Sequence, residues 1–553
     1  MLSPQATRRT LAVVLGMAAF GGFSPGVTAF GAGGYASSNA GIANTQVSHP
    51  DPSVSRTCPT ADWLRDPSLC SPAPGRWSRF GNDRSESDLQ VDPTNPNHLV
   101  GLSKIFWSPK DYVFNLEWYD SEDGGSTWTM GLLPGYDTAA APWADTTDPT
   151  LAFDSQGNLY ALVLAFNFVI EPNGSHNWSV GQTEPLHLND AIYLSRSLKG
   201  RDRVGRTWQA PIQIAAYNSA GLGVTADKQW VAADLYGTHP GSVYMSWILL
   251  DGASFSGQDV FSRWDENSQT FTPARAVTSF TSPHFNGDPY VLTGPEGNLY
   301  FSYDNLPPKN QYGTSSFQVM VSHDNGQTFS APGQPIDSTI ANQSGQSLPD
   351  TYRDGTPYTI TVNPVSHELL MAYEAFGTTS PQRSQWLVRS ADEGRSWSTP
   401  VQVDDPIIGD AAAETTQAKI AAAPSGIFAV AFYDRRLTCP ADDPLAADAG
   451  LPDRCIDVTI QFYNADGSAR GGNQRVTQES WDPNINPAFP GGLGSSTTFI
   501  GDYFGDAMTT TKKGTFAHLL FVSTSPTLQA GGFPDGGLVP PYQQQVYATV
   551  PAP

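Results

Sequence analysis

Short apolar runs recur along the chain from about residue 84 to the C-terminus, and clusters of Gly, Pro, Asn, Asp and Ser separate them. Runs at 150–153, 229–233 and 358–362 precede a turn, and runs at 159–164, 243–247 and 368–373 follow one. Brief β-rich runs bounded by turn formers predict antiparallel hairpins. The hairpin turns begin at residues 92, 154, 234, 294, 363, 423 and 510, and are separated by 60 to 87 residues. Strands repeated at such a period predict an all-β radial architecture, since no single unit could bury both of its faces alone.

A second repeat falls inside these units. Ser121-Glu122-Asp123-Gly124-Gly125-Ser126-Thr127-Trp128, Ser322-His323-Asp324-Asn325-Gly326-Gln327-Thr328-Phe329 and Ser390-Ala391-Asp392-Glu393-Gly394-Arg395-Ser396-Trp397 share the pattern S-x-D-x-G-x-[ST]-[WF]. A partial copy ends in Gly205-Arg206-Thr207-Trp208 but has Arg203 at the Asp position, and 265–271 is a stretched version. The carboxylate can accept backbone N–H bonds within the turn, Gly supplies a positive φ, and the aromatic packs inward. This pattern is the Asp box, and the chain resembles the Asp-box (BNR-repeat) family of sialidase-like β-propellers. The resemblance implies that Asp123, Asp324 and Asp392 are structural. Seven turns favour seven blades, with six, as in sialidases proper, as the runner-up. The last unit lacks an outer partner, which residues near 76–80 are expected to supply.

Composition narrows the partners. There are 30 Lys and Arg against 53 Asp and Glu, a formal net charge of −23, which opposes nucleic acid and anionic membrane as partners. Arg8-Arg9 before an apolar run at 11–20 reads as an export signal over 1–32, of the twin-arginine or the general secretory type, so a secreted, extracellular or periplasmic protein is expected. A Gly/Ser/Pro-rich segment at 33–75 then leads to a single propeller domain over 76–553, expected to be monomeric. In an exported chain, Cys58 with Cys70 and Cys439 with Cys455 read as two local disulfides. No C-x-x-C spacing marks a metal site, and no box carries the D-x-[DN]-x-[DN]-G calcium array. No cofactor is therefore required, and structural calcium stays open without being indicated.

In a propeller, the residues that enter each innermost strand converge on one end of the central channel. Those positions hold Arg84, Glu86, Asp145, Asp148, Asp227, Lys228, Asp288, Arg353, Asp354, Lys419, Asp502 and Tyr503. Gathered carboxylates can divide into an acid and a base, as glycosidases require, although carboxylates at strand entries also serve simply to cap backbone N–H groups. The sialidase resemblance implies further roles. Arg84, Arg353 and Arg435 would hold a substrate carboxylate through bidentate bonds. Tyr503 would be the nucleophile, Glu86 or Glu374 its base and Asp148 the acid, with Asp227, Asp288, Asp354 and Asp502 around the substrate. The chain departs from the family in having no Arg-Ile-Pro motif before the first blade and in losing the Asp of its second box. The expected function is a glycan-active protein, a glycoside hydrolase of exo-sialidase-like type acting on a carbohydrate in the funnel. The alternatives are a non-catalytic propeller that binds a glycan or protein, and a polysaccharide lyase using Lys228 or Lys419.

Overall fold

The computed structural model describes residues 41–49, 83–106, 114–133, 145–166, 168–170, 176–181, 190–217, 224–251, 256–279, 285–306, 314–341, 355–376, 383–405, 414–437, 439, 455–483, 499–525 and 543–553. They form seven antiparallel sheets arranged as a β-propeller, with a small accessory hairpin of Phe168–Ile170 and His176–Gly181. The innermost strands of the seven blades are Arg84–Val91, Asp145–Phe153, Val224–Ala233, Phe285–Thr293, Tyr358–Val362, Thr415–Ala422 and Gly505–Thr511. Each lies against its neighbours, and the first lies against the seventh, so the ring is closed. Six blades have four strands; in the third, two short strands, Thr270–Phe271 and Arg275–Ala276, share the outer position.

Burial explains the apolar runs. The second strand of the first blade, Leu99–Phe106, is buried at every position, because a blade strand near the axis is covered on both faces. Side chains alternate between the two seams instead of between core and water. In the fourth blade, Leu299, Phe301 and Tyr303 pack toward Tyr244 and Phe261 of the third, while Tyr300 packs with Tyr358, Ile360 and Met371 of the fifth.

The seventh blade is completed by Asn44–Gln46, which pairs antiparallel with Gln544–Pro551 in the register Thr45 to Tyr547. The expected closing stretch at 76–80 lies outside the described residues, and the partner comes from within the Gly/Ser/Pro-rich segment at 33–75. Three polar residues in a row gave no strand signal there. Ile42 anchors the strand, buried in the seam of the sixth and seventh blades with Val546 and Val550.

The three Asp boxes connect the third and outer strands of blades one, four and five, and their bonding is nearly superimposable. Asp123 Oδ1 accepts the Thr127 N–H at 2.9 Å and Oδ2 accepts its hydroxyl at 2.7 Å; Asp324 does the same with Thr328 at 2.8 and 2.6 Å, and Asp392 with Ser396 at 2.8 and 2.6 Å. These bonds hold all three carboxyls below the usual range, Asp324 at about 2. In the partial box, the Thr207 N–H donates to Arg203 O at 2.9 Å, so a backbone carbonyl takes the missing carboxylate's place, and Thr207 Oγ1 accepts the Arg203 N–H at 2.8 Å. Cys439 and Cys455 form the expected disulfide, with Cα atoms 5.1 Å apart, whereas Cys58 and Cys70 lie outside the described residues.

At the seam of blades one and two, buried His98 bridges two carboxylates, with Nε2 2.9 Å from Asp120 and Nδ1 3.3 Å from Asp92. Burial opposes its charge, but the bonds to Asp120 and Asp92 prevail and raise its pKa to about 9. A folded-state pKa above the unfolded value of about 6.5 stabilises fully below that value, and the contribution disappears as pH rises through about 9. Melting temperatures should therefore fall between about pH 6.5 and 9 by the equivalent of up to ~3 kcal/mol, and His98→Gln should flatten that part of the profile. Asp392→Ala should destabilise the fold by about 1 kcal/mol, since it removes the acceptor of the exposed Ser396 N–H and hydroxyl, and urea titration would measure this.

Candidate funnel site

Five innermost strands share one irregularity. Glu86, Asp148, Lys228, Asp288 and Gln417 have φ of 48°, 52°, 50°, 46° and 53°, and at each the pairing with the second strand shifts register. Left-handed backbone at a non-glycine residue costs on the order of 1 kcal/mol, so its fivefold recurrence is built into the unit. Each bulged residue stands six positions before the start of its hairpin turn, at Asp92, Asp154, Asp234, Gly294 and Ala423. Counting six back from each turn would have found this ring from the sequence, and in the fifth blade the count lands on Pro357.

The bulges turn these side chains toward a segment that enters the channel from the seventh blade, Gly501-Asp502-Tyr503-Phe504. Gln417 donates its side-chain N–H to Gly501 O at 2.8 Å, and the Thr356 N–H donates to Asp502 O at 2.9 Å. Lys228 pairs with the Asp502 carboxylate. The Tyr503 hydroxyl donates to Pro149 O at 3.1 Å. A Cβ on Gly501 would lie 2.4 Å from the Glu86 nitrogen, and one on Gly355 would lie 2.1 Å from Asp502 O. One short segment thus touches blades one, two, three, five and six.

Around it, Lys104 pairs with Glu86 and lies 3.5 Å from Asp148. Glu86 and Asp148 are buried, and Asp227, Lys228 and Asp288 are half-buried. Burial and the nearby Asp148 push Glu86 up to about 8, and the same two causes push Asp227 up to about 7. Burial would raise Asp148 as well, but Lys104, Lys228 and a hydrogen bond with Glu86 overcome it and hold its carboxyl well below the usual range. Deeper in the channel, the Lys419 ammonium lies 4.9 Å from the Tyr503 ring and 5.1 Å from the Trp230 ring, and burial lowers it to about 8 against the pull of Asp88 and Asp506.

The expected residues divide accordingly. Glu86, Asp148, Asp227, Asp502 and Tyr503 come together, with Asp288 close enough to act on Lys228. Glu374 is fully buried behind the channel wall and accepts the Gln417 backbone N–H; burial raises it to about 8. Arg84 is fully buried, with Nε 3.1 Å and Nη2 3.3 Å from the two Glu117 oxygens and a further bond to His49 O. Arg435 is also buried, and neighbouring Arg436 forms a forked pair with Asp434. Arg353 and Asp354 lie outside the described residues. Burial and then Asp148, Glu86, Asp88 and Asp502 raise the Tyr503 phenol well above its ordinary value, the opposite of what activates a tyrosine nucleophile. Lys104, on a second strand, was missed because strand-entry positions alone were considered.

No protein-family model and no curated protein sequence matches the chain. Solved structures are similar to it at low identity. A Dyadobacter fermentans protein of unknown function is 12% identical, over 86% of this chain and 96% of that one, with a TM-score of 0.42. Trypanosoma rangeli sialidase in complex with the inhibitor DANA is 13% identical over 70% of this chain and 55% of that one, at a TM-score of 0.40. Penicillium chrysogenum α-L-arabinanase complexed with arabinobiose is 14% identical over 70% and 94%, also at 0.40.

Gly501→Ala should destabilise the protein by about 1–3 kcal/mol, because its methyl group would meet the Glu86 backbone. Calorimetry of this variant beside Gly471→Ala, at an outer strand where the nearest atom to a Cβ is 3.2 Å away, separates the central clash from general glycine effects.

Proposed function

We propose that the protein is a glycoside hydrolase whose acid and base are Asp227 and Asp148 at the funnel mouth. One pair of residues carries the reading: burial and the Asp148 charge push Asp227 up to about 7, while Lys104 and Lys228 hold Asp148 well below the usual range. A carboxylic acid kept protonated near neutrality beside a carboxylate kept ionised is the requirement for protonating a leaving oxygen while activating water. Asp227 is the half-buried member and so the one a glycoside oxygen reaches. Glycans are the substrate class because the funnel belongs to an Asp-box propeller, and the Asp227 proton suits an acetal oxygen.

Tyr503 supports the floor in this reading, and its hydroxyl stays with Pro149 O. Arg84 stays with Glu117, which leaves no carboxylate-binding role for it and moves the reading from sialosides toward neutral glycosides.

Hydrolysis should be found on a panel of neutral and anionic glycosides, with neutral ones turned over faster. The rate should decline as pH rises through about 7, where Asp227 loses its proton. Asp227→Asn should lower kcat by about 100-fold or more with an unchanged melting temperature. A protein that binds glycans on an array, turns over none, and binds equally well as Asp227→Asn is a non-catalytic propeller, and the proposal fails.

A further inference from the structure

The bulge that carries Asp148 takes two residues out of the ladder. On the innermost strand of the second blade, Thr147 pairs with Leu164 and Thr150 with Leu162, so Asp148 and Pro149 together face Val163. Carbonyls buried at such a step must find donors outside the ladder. Both do so through side chains of other blades: Asp148 O accepts from Gln229 Nε2 at 2.5 Å, and Pro149 O accepts from the Tyr503 hydroxyl at 3.1 Å. Gln229 Nε2 also donates to Thr147 O at 3.1 Å, so both of its N–H bonds are spent on one bulge. Gln229 is 2% exposed and belongs to the bulge of the third blade, where Lys228 and Gln229 together face Trp247, two residues beyond Asp227. The fourth blade repeats the arrangement. At its bulge, Asp288 O accepts from the Tyr358 hydroxyl at 2.8 Å and Pro289 O from the Ser246 hydroxyl at 2.9 Å.

We propose that Gln229 is a positioning residue for the acid–base pair: its amide, helped by the Tyr503 hydroxyl, clamps the Asp148–Pro149 bulge to the strand that carries Asp227 and so fixes the distance between the two carboxyls. This rests on the acid–base reading above and adds a residue that touches no reacting atom. The clamp works against a real pull. Lys104 of the first blade lies 3.5 Å from the Asp148 carboxylate and draws it toward that blade, away from Asp227. The Thr147 hydroxyl, 2.6 Å from Asp148 Oδ1, moves with the same bulge and cannot resist. Asp227 and Asp148 also repel each other when both are ionised. With Asp148 outside the ladder, the backbone bonds to Gln229 and Tyr503 oppose this displacement. The charged groups that act on Asp227 are Asp148 and Lys228, whose N–H donates to Asp227 Oδ1 at 2.8 Å, and Asp190 of the second blade feels Asp227 in turn.

The test compares the wild type with Gln229→Met, Tyr503→Phe and Ser246→Ala in the full chain. Carboxyl 13C NMR titration follows Asp227, whose signal Asp227→Asn identifies, and kcat and KM are measured on the best glycoside. Gln229→Met keeps the side-chain volume and removes both donors. As Asp148 recedes, its share of the upward push on Asp227 is lost, so the Asp227 midpoint should fall from about 7 by about one pH unit. Over the same change kcat should drop by about 10-fold or more while KM stays within about twofold. Tyr503→Phe, which keeps the ring and frees Pro149 O, should move the midpoint the same way. Ser246→Ala removes the corresponding bond in the fourth blade; it should lower the melting temperature and leave the Asp227 midpoint and kcat unchanged. An unmoved Asp227 midpoint in folded Gln229→Met, or an equal shift in Ser246→Ala, overturns the inference. If Gln229→Met does not fold, an unmoved midpoint in Tyr503→Phe overturns it instead. If no glycoside is hydrolysed, the function reading fails, while the titration still decides whether Gln229 sets the spacing.

Discussion

The structure depends on the intrusion of one backbone segment into its own axis. Gly501 to Phe504 leaves the seventh blade and places peptide groups where opposite blades can bond them: Gln417 from the sixth, Thr356 from the fifth, and Tyr503 in return to Pro149 of the second. A propeller ring has no central core, so a polar segment at the axis must find partners for its amides and carbonyls. The bulged strands of the second and sixth blades and the entry to the fifth supply them. The clash-limited approaches at Gly501 and Gly355 show how little room remains.

That intrusion also creates the electrostatics of the funnel. Asp502 adds a carboxylate to three already present, and Lys228 is drawn toward it. Burial penalises every member, so the outcome is decided by pairing, not by intrinsic acidity. Asp148 lies within reach of both ammoniums and stays ionised, while Glu86 and Asp227 keep protons to a higher pH. Three residues of one chemical type thereby divide into different states because of position alone.

Much of the architecture was legible because it repeats. The boxes at Asp123, Asp324 and Asp392 and the hairpin turns gave blade number and strand order, since local turn chemistry needs few residues and tolerates little change. The closing strand Asn44–Gln46 was not legible: its stability comes from the edge of Gln544–Pro551, and its own residues carry no alternation. At the site, strand-entry positions found the carboxylates but could not tell which arginines are already engaged. Arg84 reads as a funnel residue by position, and the register that sets it against Glu117 is invisible without the third strand's placement. Lys104 was overlooked for the same reason, because its relation to Glu86 is a cross-strand one.

The pairing of Asn44–Gln46 with the final strand joins positions about five hundred residues apart in one sheet. Closing so long a loop in an unfolded chain costs on the order of 5 kcal/mol in entropy, and the cost is recovered only once the other blades have shortened the path between the ends. Closure of this seam is thus favoured by prior assembly of the other blades, and the strand acts as a clasp on the ring. A free peptide carrying residues 41–49 would compete for the same edge, and two open rings could exchange their clasps to become an interlocked pair with unchanged contacts in every blade.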